Sequence, residues 1–212
     1  MKFTTHSFVL ETMLKATMLP VETDVHIQVR GDDLVVTACD LHRIHRAVAP
    51  GLLKDRVASV NRGGVTISRN TALAIVSLCG NVEASRISLD HVDFAIKQGH
   101  FGSVTVSDTA AEWSDTARLP LMPSLHPFPS NADMLIQRAS ESEKSTTSSV
   151  RVSPQYLIEA LRAASFGGVE EDRTGVRIRF GSSELEPVVV ERSVEIRNVR
   201  FDFIGVIMPR RT

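Results

Sequence analysis

The sequence is poor in the residues that most chemistries depend on. Its 212 residues include two cysteines, one tryptophan and one tyrosine. Cys39 and Cys79 belong to no CxxC pair, which excludes a zinc site of the usual spacing on the cysteine side. Two cysteines make no disulfide framework, and a reducing compartment is the simpler reading. One Trp and one Tyr give little for stacking single-stranded bases, and Trp113 reads as a packed or edge residue. Met1-Lys2-Phe3-Thr4 opens no apolar signal core, and the longest apolar stretch, around Ala72 to Cys79, is far too short to span a bilayer. A cytoplasmic protein without membrane contact is expected. An excess of positive charge is also missing. Lys and Arg number 24 against 25 Asp and Glu, a formal net charge of −1. Coating nucleic acid by bulk basicity is thereby excluded, and any DNA contact must come from a local concentration of Lys and Arg.

Catalytic signatures are absent as well. There is no P-loop, no dinucleotide fingerprint and no nucleophile elbow, so neither ATP use nor a Ser-His-Asp hydrolase is expected. Asp40, His42 and His45 invite a metal or acid–base reading. On a strand, however, positions 40 and 42 share a face that 45 leaves, and no third ligand joins them. The expectation is a protein with no catalytic site, no cofactor and no metal.

What is there is an ordinary globular balance, 42% hydrophobic and 23% charged residues, arranged in a repeat. Three segments share an order of short strand, amphipathic helix and several strands. The first opens with Lys2-Phe3-Thr4. A helix from Ser7 follows, with Leu10, Met13, Leu14, Thr17 and Met18 at helical spacing and Pro20 as its stop. Val25, Ile27 and Val29 alternate with polar residues, Gly31-Asp32-Asp33 turns, and Leu34 to Ala38 and Ile44 to Val48 return. The second opens with Val65-Thr66-Ile67. Its helix is capped by Ser68 or Asn70, buries Ala72, Ile75, Val76 and Cys79, and ends at Gly80-Asn81. Strands at Val82–Leu89, Val92–Ile96, Ser103–Ser107 and Thr116–Leu121 follow. The third opens with Val150-Arg151-Val152. Ser153-Pro154 starts its helix, and Leu157, Ile158, Leu161 and Ala164 form the expected buried face. Strands follow at Val176–Phe180, Val188–Val190, Val194–Ile196 and Phe203–Met208. Residues 131–149, rich in serine towards their end, read as a linker. The domains expected are 1–130 with two copies, then the linker, then 150–212 with one.

The run Thr37-Ala38-Cys39-Asp40-Leu41-His42-Arg43-Ile44 resembles the T-D-G-H-R-L strand of the bacterial DNA sliding clamp family, the beta subunit of DNA polymerase III. Ala117-Arg118-Leu119-Pro120-Leu121-Met122-Pro123 with Phe128-Pro129 is similar to its R-L-P-x-x-P…F-P segment. Ser153 to Ala164 resembles its N-P-x-Y-L-x-x-A-L helix, and Gly205 to Thr212 its closing V-V-M-P-M-R-L. The opening Met1-Lys2-Phe3-Thr4 matches its start. Leu41 stands where the family usually has glycine, and Arg210 where it often has methionine.

The resemblance implies an α+β DNA clamp fold: repeated modules of one helix with antiparallel strands, sheets outside and helices lining a ring. It implies a processivity factor for DNA replication that encircles duplex DNA and docks peptides of a DNA polymerase or clamp loader. Family chains carry six such modules and this one three. A shortened member is therefore implied, forming a homo-oligomeric ring, with four chains giving the family's twelve modules. Phosphate-facing candidates are Lys15, Arg69 and Arg162 on the helices, with Lys54, Arg56 and Arg62 in the first connecting loop; each is equally readable as part of a solvated surface. The implied partner-peptide pocket comprises His42, Arg43 and Ile44, then Leu185 and Pro187, then Ile207, Met208 and Pro209, with Arg210 and Arg211 at its rim. Leu185 and Ile207 are equally readable as core. Such a Met/Leu/Ile/Pro cleft suits apolar peptide side chains. The alternative function is a clamp-like interaction protein that binds partner peptides or another clamp without encircling DNA.

Overall fold

A computed structural model describes residues 2–21, 23–53, 64–80, 90–95, 102–108, 116–121, 128–141, 150–166, 175–181, 183 and 185–209. The chain runs β1 (Lys2–Thr5), α1 (Ser7–Val21), β2 (Val25–Arg30), β3 (Asp33–Cys39), β4 (Arg43–Ala49), β5 (Val65–Ile67), α2 (Arg69–Gly80), β6 (Asp90–Ala95), β7 (Gly102–Asp108) and β8 (Thr116–Leu121). It continues with α3 (Ala132–Glu141), α4 (Pro154–Ala164), β9 (Arg177–Arg179), β10 (Val188–Ile196) and β11 (Val199–Ile207). The expected strand at 82–89, the loop cations Lys54, Arg56 and Arg62, Trp113, the serine-rich residues 142–149, and Arg210 and Arg211 lie outside the described residues.

Two antiparallel sheets form, in the orders β1-β6-β7-β8 and β5-β2-β3-β4-β11-β10-β9. The first strand of each N-terminal repeat leaves its own repeat. β1 pairs with β6, and β5 pairs with β2 through Val25↔Ile67, His26↔Thr66 and Ile27↔Val65. Gly64, at φ +69°, makes this approach; a Cβ there would meet the Ile27 carbonyl at 2.6 Å. The larger sheet crosses from the N-terminal to the C-terminal part through β4 and β11, in register from Asp202↔Val48 to Ile207↔Arg43.

Ladder register assigns the faces of this sheet. Ile27, Val36, Ala47 and Phe203 share the face that carries α1 and α4, and all lie in the main core. The periodic residues of α1, Leu10, Met13, Leu14, Thr17 and Met18, are fully buried there. Thr17 satisfies its hydroxyl by donating to the Met13 carbonyl at 2.9 Å. α1 packs against both α2 and α4, and α2 reaches β7 and β8. Ser68 is the α2 cap, accepting from the Thr71 N–H at 3.2 Å.

Four expectations are corrected. Residues 132–141 of the expected linker form the helix α3, because Ala132, Ile136 and Ala139 recur at helical spacing and bury against the sheet. The inner face of α4 is Ala160, Ala163 and Ala164, while Ile158 is exposed and Leu157 and Leu161 are half-buried. Small residues face inward because Gly205 of β11 brings the helix close, with the Ala160 Cβ 3.4 Å from a Cβ built there. The two short strands expected at 188–190 and 194–196 are one, β10, turned into β11 by Arg197 and Asn198 at φ 52° and 62°. This is the left-handed pair that a tight hairpin requires. Lastly, Val150–Val152 pairs with no strand among the described residues, and Val152 packs its side chain against the main core.

Candidate partner-binding cleft

The face of the large sheet opposite α1 and α4 carries, among the described elements, the helix α3. Ile44, Val189 and Val206 adjoin on neighbouring strands and form a small separate cluster with Ala132, Ile136 and Ala139 of α3. The N-terminal end of α3 is held by charge. Asp133 takes the Arg30 guanidinium at 2.6 Å and also pairs with the buried Arg46, whose Nε donates to the Thr37 hydroxyl at 3.0 Å. Burial works to raise the Asp133 carboxyl, but the hydrogen bonds and charges of Arg30 and Arg46 outweigh it and hold it below its ordinary value. Burial also lowers Arg46, and Asp133 opposes that.

Along its other flank α3 leaves a cleft of about 500 Å³. Val189 and Val206 line it from the sheet, Leu135 and Ala139 from α3, and Phe180, Pro187 and Met208 from the segments around β9 to β11. Arg138, Glu141, Arg179 and Glu186 add charged groups. Arg179 is fixed by Glu191 at 2.6 Å and donates to the Ser140 carbonyl at 3.1 Å, tying β9 to the end of α3. The end of the last strand is anchored by the Met208 N–H, which donates to the His42 carbonyl at 2.8 Å.

The residues expected to form one pocket are distributed over both faces. Pro187 and Met208 line the cleft, and Ile44 lies buried beneath α3 in the adjoining cluster. Arg43 and Ile207, opposite each other in the ladder, face the helix side. Ile207 is core there. Arg43 pairs with Asp40 at 2.9 Å and with Glu159 of α4, and covers the Tyr156 ring at 4.4 Å. His42 stacks on the same ring. His42 and Arg43 thus secure α4 to the β3–β4 turn. Leu185 projects into solvent at 68% exposure and does not line the cleft, nor does Pro209. Leu135, Phe180, Val189 and Val206 are the lining residues missed from the sequence. Leu135 and Ala139 lie on α3, inside what read as a linker.

Of the phosphate-facing candidates, Lys15 is exposed on α1 and paired with Glu11 at 2.5 Å. Arg69 opens α2, where its backbone N–H donates to Asp24 at 3.1 Å. Arg162 is exposed in the last turn of α4. All three belong to the helix layer, on the opposite side of the large sheet from the cleft. His45 is fully buried on the helix side against Phe203, with no hydrogen-bond partner on either ring nitrogen, and burial, aided by Arg43 and opposed by Asp40, pushes its pKa down to about 3. It is a neutral core residue. Cys39 is raised to about 11, chiefly by burial and then by Asp40, so its thiol is unreactive at neutral pH. Among the described residues no cluster of His, Cys, Asp or Glu is arranged to hold a metal ion, and no helix is long and apolar enough to cross a membrane.

No protein-family model matches the chain, and no curated protein matches it by sequence. Solved structures do. The DNA polymerase sliding clamp from Bacillus subtilis superposes with a TM-score of 0.57 at 16% identity, covering 100% of this chain and 64% of that one. The sliding clamp from Pseudomonas aeruginosa gives 0.61 at 14% identity, covering 100% and 67%. A. fulgidus PCNA, in a structure with the C-terminal region of FEN-1 bound, gives 0.56 at 12%, covering 100% of this chain and 98% of that one. The chain therefore spans about two thirds of the bacterial clamps and nearly the full length of the PCNA chain. At these identities the likeness is one of fold: the chain has a sliding-clamp-like α+β architecture.

Proposed function

We propose that this chain is a DNA sliding clamp, a non-catalytic processivity factor built of three modules, whose copies assemble into a ring around duplex DNA. Residues 1–130 make one complete two-module domain and 150–212 a half-domain. The observation that carries the reading is the seven-stranded sheet running unbroken through β4 and β11, backed by helices on one face and open to a cleft on the other. Such a wall offers helices to the bore and its cleft to partners. Lys15, Arg69 and Arg162, with the loop cations Lys54, Arg56 and Arg62, supply sequence-independent phosphate contacts.

The cleft is the docking site for short apolar segments of a polymerase or loader. Pro187, Val189, Val206 and Met208 form an adaptable apolar floor, and Arg138 and Arg179 select an acidic flank. The peptide-bound PCNA relative lends weight to this use. Retention on circular against linear duplex tests the ring. A clamp stays on a closed circle, leaves through free ends, and is retained less as salt rises. Equal loss from both substrates would turn the reading to an interaction protein that docks peptides without encircling DNA.

A further inference from the structure

In the N-terminal domain each repeat donates its first strand to the other. β5, Val65-Thr66-Ile67, lies one residue before α2 and pairs with β2 at Val25-His26-Ile27. The C-terminal half-domain carries both halves of that joint; Val152 and Val176 pack against the main core, but among the described residues the two segments make no strand pairing with each other. Val150-Arg151-Val152 lies one residue before α4, with Ser153 where Ser68 stands before α2, and it pairs with no strand among the described residues. Val176-Arg177-Ile178 repeats the pattern of Val25-His26-Ile27, and β9 is the last strand of its sheet among the described residues, one edge taken by β10 and the other paired with no described strand.

The side chains agree. Ile178 stands opposite Val190 on the helix side of the sheet, where Ile27 is fully buried beneath its neighbours, yet Ile178 is 39% exposed. Ile158 on α4 is 44% exposed, and among the described helices α4 packs against α1.

We infer that a second copy of this chain completes the half-domain, each copy laying its Val150–Val152 along the β9 edge of the other. Donor and acceptor reside in one chain, so two copies satisfy each other about a two-fold axis and leave neither segment over. A short donor and an open edge are the ordinary materials of strand addition. The N-terminal register places Val152 beside Val176 and Val150 beside Ile178 of the second copy, on the helix side. Arg151 then faces Arg177 on the outer side. The two α4 helices meet as α1 and α2 do, covering Ile158 and Ile178. This inference rests on the three-module reading and is independent of DNA binding.

Sedimentation equilibrium of the full chain at micromolar concentration reads the mass. Twice 23.3 kDa, or a larger even multiple, is expected. Ile178→Lys, at an exposed site, is expected to weaken the association at least about tenfold with the thermal melt retained. Arg151→Glu, which sets opposite charges across the joint, is expected to tighten it. If Ile178→Lys does not fold, a mixing experiment decides. With Cys39 and Cys79 replaced by serine, a Val150→Cys chain and an Ile178→Cys chain should oxidise together to a covalent dimer that neither forms alone at comparable yield. A folded monomer at all concentrations would overturn the inference, as would a double Val150→Cys/Ile178→Cys chain that closes within itself. Loss of DNA retention by a wild-type protein that still dimerises would count against the ring and leave the strand exchange standing.

Discussion

Phe203 and Ile207, on one face of the seven-stranded sheet, lie in a core under α1 and α4 that water does not reach, whereas Ile204 and Val206, on the other, belong to a small cluster beneath α3. The first face is held by apolar area and close packing. The second is held by three small contacts and by Asp133 gripping Arg30 and Arg46. A sheet covered by a full helix layer has no room for a ligand. One covered by a single ionically tethered helix keeps an apolar cleft beside it. The difference assigns architecture to one face and recognition to the other.

The sharpest way to break the comparison is to truncate one buried side chain on each face. Phe203→Ala takes a ring out of the main core between His45 and Phe166 and should cost about 3–5 kcal/mol. Ile136→Ala, in the small cluster, should cost about 1–2 kcal/mol, because α3 can settle onto the shorter side chain. Urea unfolding of the two variants makes the measurement. A loss from Ile136→Ala as large as that from the bulkier Phe203 would mean that the outer face is packed at least as tightly as the core.

His45 puts a titratable group into the face that tolerates none. Its folded pKa lies near 3, below the 6.5 of an exposed histidine, so between these values the unfolded chain binds the extra proton. Stability is complete above about pH 6.5 and falls as pH drops towards 3, by up to about 1.4 kcal/mol per unit. At pH 5 the loss should be about 2 kcal/mol. His45→Leu should flatten that slope, and a slope unchanged in the variant would assign the acid loss to other groups.

On the outer face the tether is the weak point. Asp133→Ala leaves Arg46 buried with only the Thr37 hydroxyl. Because the Asp133 side chain is itself half exposed, a loss of about 1–2 kcal/mol is expected and not the larger figure of a fully buried pair. Hydrogen exchange should quicken in α3 and stay unchanged in α1. Uniform quickening would show that α3 is integral to the main core.

Much of this contrast was legible beforehand on the helix side and little of it on the other. The period of Leu10, Met13, Leu14 and Met18 fixed α1 because one apolar stripe against one sheet is a local property of sequence. The exchange of β1 and β5 between repeats was not legible. Strand partners are chosen over long separations, and Lys2–Thr5 reads the same whichever edge receives it. α3 was missed because its buried face is two alanines and one isoleucine, too small a stripe to stand out beside a serine-rich run. The resemblance drew His42, Arg43 and Ile44 into one pocket. Alternation along a strand sends neighbours to opposite faces, so Arg43 serves α4 and Ile44 the floor beneath α3.

The smallest change in stability should accompany the largest change in recognition. Met208 is half-buried in the cleft lining and its backbone, not its side chain, makes the anchoring bond to His42. Met208→Ala should therefore cost less than about 1 kcal/mol in folding while stripping the cleft of its most adaptable apolar surface. Fluorescence anisotropy with a labelled acidic-apolar peptide should read a fall in affinity of about tenfold, as expected for an anchor side chain at the centre of a small interface. Leu185→Ala is the matched control: it removes a comparable apolar side chain from 68% exposure outside the cleft and should change neither quantity. Equal effects of the two substitutions would move the docking surface away from α3 and onto the loop before β10.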